Sequence, residues 1–361
     1  MANLTPTNLL MGLSNVSEDF KRAEFRMPNT AALSTAYIGK QTENPMAEIR
    51  KREDRATWFD FGIRKADEGE TERTALHTAA SMDSLRRQLT WGSVVDGFSI
   101  SEKQCDNNTQ GYAGVFSSGL KNSIFNNLSK MDNAFMALIK ADVSEINLGG
   151  LNGLGAWSAA DNIFEIEADQ SEYALAIMEA NMNNNDYNDQ FIALVDSVGF
   201  INASKALNQG SQNAVNMYWQ LGNTKLVKTN KQIYSGYNGS MLMFPQNQVG
   251  ITPWIPKQNR QPINEMAAMT PNGSFGSVQV PIYDQDGNVA YSIDVALSMY
   301  TTRANTSTRN GSKQDLLTQI EVSWDYAYMS APLSSLRATG DFVGKSDSVV
   351  YSFGVKPTIV L

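Results

Sequence analysis

A single apolar stripe constrains this chain more than any other feature. Phe116, Leu120, Ile124, Leu128, Met131, Phe135, Leu138 or Ile139, and Val143 recur at spacings of four and three. Only a 3.6-residue period puts such positions on one face. No Pro interrupts the run, and Gly119 lies near its start. The spacing predicts one helix over 115–143, roughly 40 Å long at 1.5 Å per residue. The Gly-rich run Leu148–Gly155 is expected to end it and to act as a hinge. It does not spell a dinucleotide fingerprint, and it follows a helix rather than a strand.

Around the stripe the text changes idiom. Residues 1–47 read as an extended arm whose apolar cluster is Leu9, Leu10, Met11 and Leu13. The arm is too polar to build its own core, so it is expected to lie on something else. Its first residues, Met1–Thr5, lack the basic start and apolar run of a secretory signal. In residues 48–73, 15 of 26 positions are charged, 7 basic and 8 acidic. Inside this stretch Trp58–Ile63 alternates like a strand, and Ala66–Gly69 is a turn signal. The runs 89–93 and 98–101 continue the β idiom, so 48–100 reads as a charged hairpin; a solvated loop is the alternative.

After the hinge, Ile163–Ile166 reads as a strand and Ser171–Met182 as a helix packing Tyr173, Leu175, Ile177 and Met178. Phe191–Val195 reads as a buried strand, 201–207 as a short helix, and 224–227 and 240–244 as strands. Residues 249–256 form a Pro-punctuated edge. This middle block looks like a compact α/β unit. Residues 277–299 form a hairpin: Val278, Val280 and Ile282 alternate, then Val289, Tyr291, Ile293, Val295, Leu297 and Met299. Alternation returns over 316–329, and 349–355 is the last strand.

Composition narrows the chemistry. The net charge is -8, which disfavours tight binding to phosphate backbones. One Cys, Cys105, allows no intrachain disulfide and no Cys-based zinc site; one His, His77, would have to serve any triad alone. No window approaches the roughly 18 apolar residues of a membrane span. Thr339–Ser346 has three residues between its glycines where a phosphate loop has four, and a strand pattern follows it. Asp284–Asn288 lacks the ligands of a calcium loop and reads as a hairpin turn. Carboxylates within Asp161–Asp169 could serve glycoside cleavage, but the aromatics that would line a cleft sit on core stripes. No catalytic, cofactor-binding or metal-ligating residue is assigned.

The order of parts is a polar arm, a charged hairpin, one very long helix, a mixed block and long returning strands. This resembles the major capsid protein of tailed bacteriophages, the Hong Kong 97-type fold. The run Phe98–Asn108 before the helix is similar to that entering the spine helix in capsid proteins of phages of Bacteroidetes hosts, including crAss-like ones. The resemblance implies an α+β fold with N-terminal arm (1–47), extended loop (48–100) and peripheral domain with spine helix (101–185). An axial domain (186–270) and returning peripheral strands with the C-terminus (271–361) complete it. It implies a non-enzymatic shell subunit without cofactors that self-assembles into pentamers and hexamers around double-stranded DNA. A scaffolding protein, portal and decoration proteins would be partners, and DNA would be enclosed without specific binding. The location would be the virion, after assembly in the host cytoplasm. Since the chain starts at Met1 without a signal for a cleaved pro-segment, a separate scaffold is expected. Candidate intersubunit contacts are Arg50, Arg52, Arg55, Trp58, Arg64, Glu68, Glu70, Glu72 and Arg73. An encapsulin-like compartment shell, another virion component and a carbohydrate-binding or carbohydrate-acting β-rich protein remain as alternatives.

Overall fold

The computed structural model describes residues 11–12, 15, 49, 51–63, 83–101, 111–144, 154–184, 190–208, 220–221, 224–229, 231–256, 274–283, 289–308, 311–331 and 348–357. The fold is mixed helix and sheet. The chain divides into two compact units: 1–56, 91–133 and 251–327 make one, and 57–90, 134–250 and 328–361 make the other.

The first unit is built on the strands β3 (Thr90–Ser101), β10 (Val249–Trp254), β11 (Ser274–Tyr283), β12 (Val289–Thr308) and β13 (Gly311–Ser330), with the helix α1 (Gly111–Ala141) running from it into the second unit's chain segment. The sheet order is β10-β13-β12-β11, and β3 also pairs with β13. The expected hairpin is present, and its register sets Val278 opposite Val295, Val280 opposite Ile293 and Ile282 opposite Tyr291. Ile293, Val295, Leu297 and Met299 are buried, as strict alternation requires. Pro253 and Pro281 lie in the outer strands β10 and β11, where a missing N–H is tolerated. The run 90–101 belongs to this sheet and not to the hairpin that precedes it, because Val94 and Ile100 are buried there.

The stripe forms the helix it predicts. Phe116, Leu120, Ile124, Leu128, Met131, Phe135 and Ile139 are all essentially buried. Ile139, rather than Leu138, holds the inner position. The helix starts earlier than the stripe and ends two residues before Val143, which bridges to Val350. A stripe marks burial, and burial continues past the last helical turn. Gly119 has a specific cause: a Cβ there would lie 2.4 Å from the Phe98 ring, so the ring occupies the space any larger residue needs. The same device brings the arm in at one point, where a Cβ on Gly12 would meet Phe116 at 2.6 Å.

The second unit contains a seven-stranded mixed sheet. Its strands are β4 (Gly155–Ser158), β5 (Ile163–Ile166), β6 (Phe191–Val195), β7 (Gln220–Leu221), β8 (Thr224–Lys228), β9 (Ser240–Pro245) and β14 (Tyr351–Val355), in the order β4-β5-β14-β9-β6-β8-β7. β14 lies parallel to β5 and antiparallel to β9. The strands β6, β9 and β14 are buried at every position, which is why their sequences are near-continuous apolar runs. The helices α2 (Ala174–Asn184) and α3 (Ser197–Asn208) accompany the sheet. Residues 168–173 form a 3-10 helix where an α-helical start at Ser171 was expected, and Tyr173 is 55% exposed rather than packed. In this tighter turn Tyr173 leaves the buried face that Ala174, Leu175 and Met178 occupy.

β1 (Trp58–Ile63) and β2 (Asp83–Gln88) form a separate two-stranded antiparallel sheet, with Trp58 opposite Gln88 and Ile63 opposite Asp83. This is the hairpin expected from the charged stretch. Its turn signal at Ala66–Gly69 lies outside the described residues, as do His77, Cys105, residues 149–153, Asp284–Asn288 and Thr339–Ser346. Among the described residues no helix is long and apolar enough to cross a membrane.

Candidate interaction surface at the hairpin

An aromatic clamp lies wholly within the first unit. Trp91, just after β2, donates its indole N–H to the carbonyl of Ala56 at 2.7 Å. Trp254 on β10 donates to the carbonyl of Arg52 at 3.2 Å. The two indoles meet edge to face, with centroids 5.3 Å apart. Indoles pair a large apolar surface with one donor, so each can bury its ring and still satisfy its N–H on a neighbouring backbone. Residues 52–56 are thereby held by two side chains distant in sequence.

A charged contact reinforces the clamp. Arg55 places its guanidinium 2.7 Å from Asp325 Oδ2 and 5.5 Å from the Trp91 ring centroid. Ser93 donates its hydroxyl to Asp325 Oδ1 at 2.5 Å. Asp325 is 12% exposed and Arg55 50% exposed, so the pair is half in water and worth at most about 1 kcal/mol. Gly92 completes the packing, since a Cβ there would fall 2.3 Å from the Tyr326 ring.

Of the candidate contact residues, the structure brings Arg52 and Arg55 to this clamp. Arg55 spends its charge inside its own chain, and Arg52 offers its carbonyl. Trp58 stands at the start of β1, 51% exposed. Arg50, Arg64, Glu68, Glu70, Glu72 and Arg73 lie outside the described residues. The clamp was missed in the sequence: nothing in Trp91 or Trp254 shows which carbonyl it seeks.

A second polar cluster in this unit ties β3 to the helix. Asp96 accepts from Asn126 at 3.0 Å and Lys130 at 3.2 Å, and Lys130 also donates to the Val95 carbonyl at 2.5 Å. Burial pushes the Asp96 carboxyl up, but the bonds from Asn126, Lys130 and Ser123 and the Lys130 charge outweigh it and hold it below its ordinary value. A depressed folded-state value stabilises the protein above the unfolded value and is lost as pH falls through the folded one. The contribution is therefore expected to be present at pH 5 and above and to fade below about pH 4. Unfolding of an Asp96→Asn variant, followed against pH, should show a smaller acid-side loss than the parent; an unchanged loss contradicts the assignment.

The carboxylates weighed for glycoside chemistry are engaged with neighbouring side chains. Asp161 and Glu165 each lie 2.9 Å from the Tyr237 hydroxyl. Burial and these two carboxylates hold the phenol well above its usual range. Lys356 sits 2.8 Å from Glu167 and 3.4 Å from Glu165, and the bond to Glu167 raises the ammonium's pKa. The cluster joins β5 to the residue after β14. Among the described residues no group of His, Cys, Asp and Glu could hold a metal ion.

No protein-family model matches the sequence, and no curated protein matches it. Solved structures do match. One from Mycobacterium phage Che8 is 9% identical, covers 88% of this chain and 90% of its own, and has a TM-score of 0.45. The capsid of Ralstonia phage GP4 is 9% identical over 85% of this chain and 86% of its own, with a TM-score of 0.44. The capsid asymmetric unit of Cyanophage Pam1 is 10% identical over 85% and 87%, also with a TM-score of 0.44.

Proposed function

We propose that this chain is the major shell subunit of a tailed-phage capsid of the Hong Kong 97 type, a structural protein and not an enzyme. In this reading the arm (1–47) and the hairpin region (48–100) reach neighbouring copies. The long helix and returning strands (101–185, 271–361) form the peripheral part, and 186–270 the axial part. Copies close into pentamers and hexamers, which form an icosahedral shell around double-stranded DNA in the virion. A scaffolding protein, a portal and decoration proteins are the further partners.

The observation that carries it is the hairpin. Among the described residues β1 and β2 pair only with each other. An isolated two-stranded hairpin is marginal in water, and ordering its backbone costs about 1–2 kcal/mol per residue. A neighbour that covers Trp58 supplies the missing burial. Head-to-tail contacts of that kind close into rings. Of the candidate residues, Arg50, Arg52, Trp58, Arg64, Glu68, Glu70, Glu72 and Arg73 act here mainly by fixing register, because exposed ion pairs add little affinity each, whereas Arg55 is engaged by Asp325 of its own chain.

Expression with a scaffold should yield large particles by sedimentation and negative-stain microscopy. Trp58→Asp should remove them while leaving the thermal unfolding of the monomer near that of the parent. Anchor residues of this type are commonly worth about 2 kcal/mol or more per interface, and a shell repeats the interface many times. Well-folded monomers under every such condition would refute the reading.

A further inference from the structure

We propose that the slot between β5 and β9 is a strand-acceptor site. Until residues 348–357 of its own chain enter, it takes the same segment from a second copy, so that copies exchange β14 while they fold. The site lies wholly in the second unit and exists whether or not the copies build a shell. β14 is the one described strand that joins β4-β5 to β9-β6-β8-β7. It runs parallel to β5, with Phe353 beside Phe164 and Val355 beside Ile166. It runs antiparallel to β9, with Phe353 beside Met241 and Tyr351 beside Met243. Without it, two strand edges face each other across the width of one strand, and each is a template for pairing.

The slot fits one sequence in one register. Ser348 to Phe353 and Val355 are each at most 1% exposed. Backbone bonds continue past the ladder at both ends. Ser144 donates its N–H to the Val350 carbonyl at 2.9 Å. Its hydroxyl donates to the Ser348 carbonyl at 2.6 Å and accepts the Ser348 N–H at 2.9 Å. At the far end Val355 donates to Gly239 at 2.9 Å, Asn238 to Val355 at 2.8 Å and Lys356 to Ile166 at 2.9 Å. Side chains fix the register. Phe353 meets Phe164 edge to face at 5.7 Å. A Cβ on Gly354 would lie 2.6 Å from Ile163 and 2.7 Å from Tyr237, so a slip of one residue drives a side chain into both. In strand addition the main chain supplies affinity and such side-chain sites supply specificity.

The slot is open during folding because its occupant comes from far along the chain. Ser352 donates its hydroxyl to the carbonyl of Asn162, 190 residues away. β4 and β5 are joined by a short turn, and β6, β8 and β9 all lie within Phe191–Pro245. Contacts of short sequence separation form ahead of distant ones, because less chain entropy is lost in closing the loop. The two half-sheets therefore form before the strand that joins them. In that interval a second copy's segment competes with the tethered one, whose effective concentration is on the order of mM. Exchange of an identical element between copies needs no new contact.

The test dilutes the full-length chain out of urea into a fluorescein-labelled peptide of residues 348–357 at about 1 mM, matching the tether. After size exclusion the protein should carry about tenfold or more of this peptide compared with one bearing Phe353→Asp, which buries an unpaired charge. Chain that is already folded should take up neither. No capture during refolding, equal capture of the two peptides, or equal capture by folded chain each overturns the site. A second measurement needs no refolding. In the native chain the amides of Tyr351 to Val355 should exchange within about tenfold of those of β6 and β9, as members of one cooperative unit. Exchange on the order of a hundredfold faster, like a fraying segment, overturns the inference. Particles are scored separately by microscopy. Particles without capture leave the shell reading standing and remove this inference, and capture without particles does the reverse.

Discussion

Replacing Asp196 with alanine is expected to lower the unfolding free energy of the α/β unit by about 3 kcal/mol or more. Asp196 is 4% exposed and precedes the first residue of α3. Its Oδ1 accepts the N–H of Gly199 at 2.7 Å, capping the helix. Its Oδ2 accepts both the N–H of Ser240 at 2.9 Å and the Ser240 hydroxyl at 2.6 Å. One carboxylate therefore satisfies three buried donors, two on a strand and one on a helix. Alanine strands all three and leaves a cavity. Asp196→Asn is the informative companion. Its carbonyl oxygen can keep one set of bonds, but its amide group would face a donor with a donor, so it should recover only part of the loss. Urea denaturation followed by circular dichroism gives the comparison. A loss under about 1 kcal/mol for alanine would show that the cap and strand contacts are dispensable.

Phe135→Ala should cost about 3–5 kcal/mol. Phe135 is wholly buried on the inner face of α1 and meets Tyr328 edge to face at 6.1 Å. Truncation removes both the transfer term and the ring contact, and leaves a void that a helix and a strand cannot close together. Asn122→Ala, on the exposed face of the same helix, should stay within about 0.5 kcal/mol of the parent or slightly above it, because Ala is the better helix former. Similar effects at the two positions would mean that the stripe does not carry the helix. The same denaturation experiment reads both.

Periodic elements were legible because burial imposes a rhythm on sequence. The stripe of α1, the alternation of Ile293 to Met299 and the apolar runs of β6, β9 and β14 each report one face, or two, turned away from water. The 3-10 start at residues 168–173 was not legible, since three- and four-residue spacings overlap in so short a stretch. Position 173 then fell on the exposed side. The candidate interaction surface was legible in part. Charge density pointed to the hairpin, and Trp58 stood out as an aromatic in a charged setting. The indole bonds of Trp91 and Trp254 were not, because a donor's identity does not specify an acceptor thirty-five or two hundred residues away.

By itself the amino-acid order determined the long periodic elements, such as the stripe of α1 and the alternation of Ile293 to Met299, and which side of each turns inward. Those properties are local, set by rotation per residue and by the presence or absence of particular side chains. Tertiary structure alone decided that β14 inserts between β5 and β9 and that β3 leaves the hairpin for β13. Strand partners are chosen by long-range complementarity of buried faces, and backbone hydrogen bonds are the same for every residue but proline. No reading of one strand reveals the next one beside it.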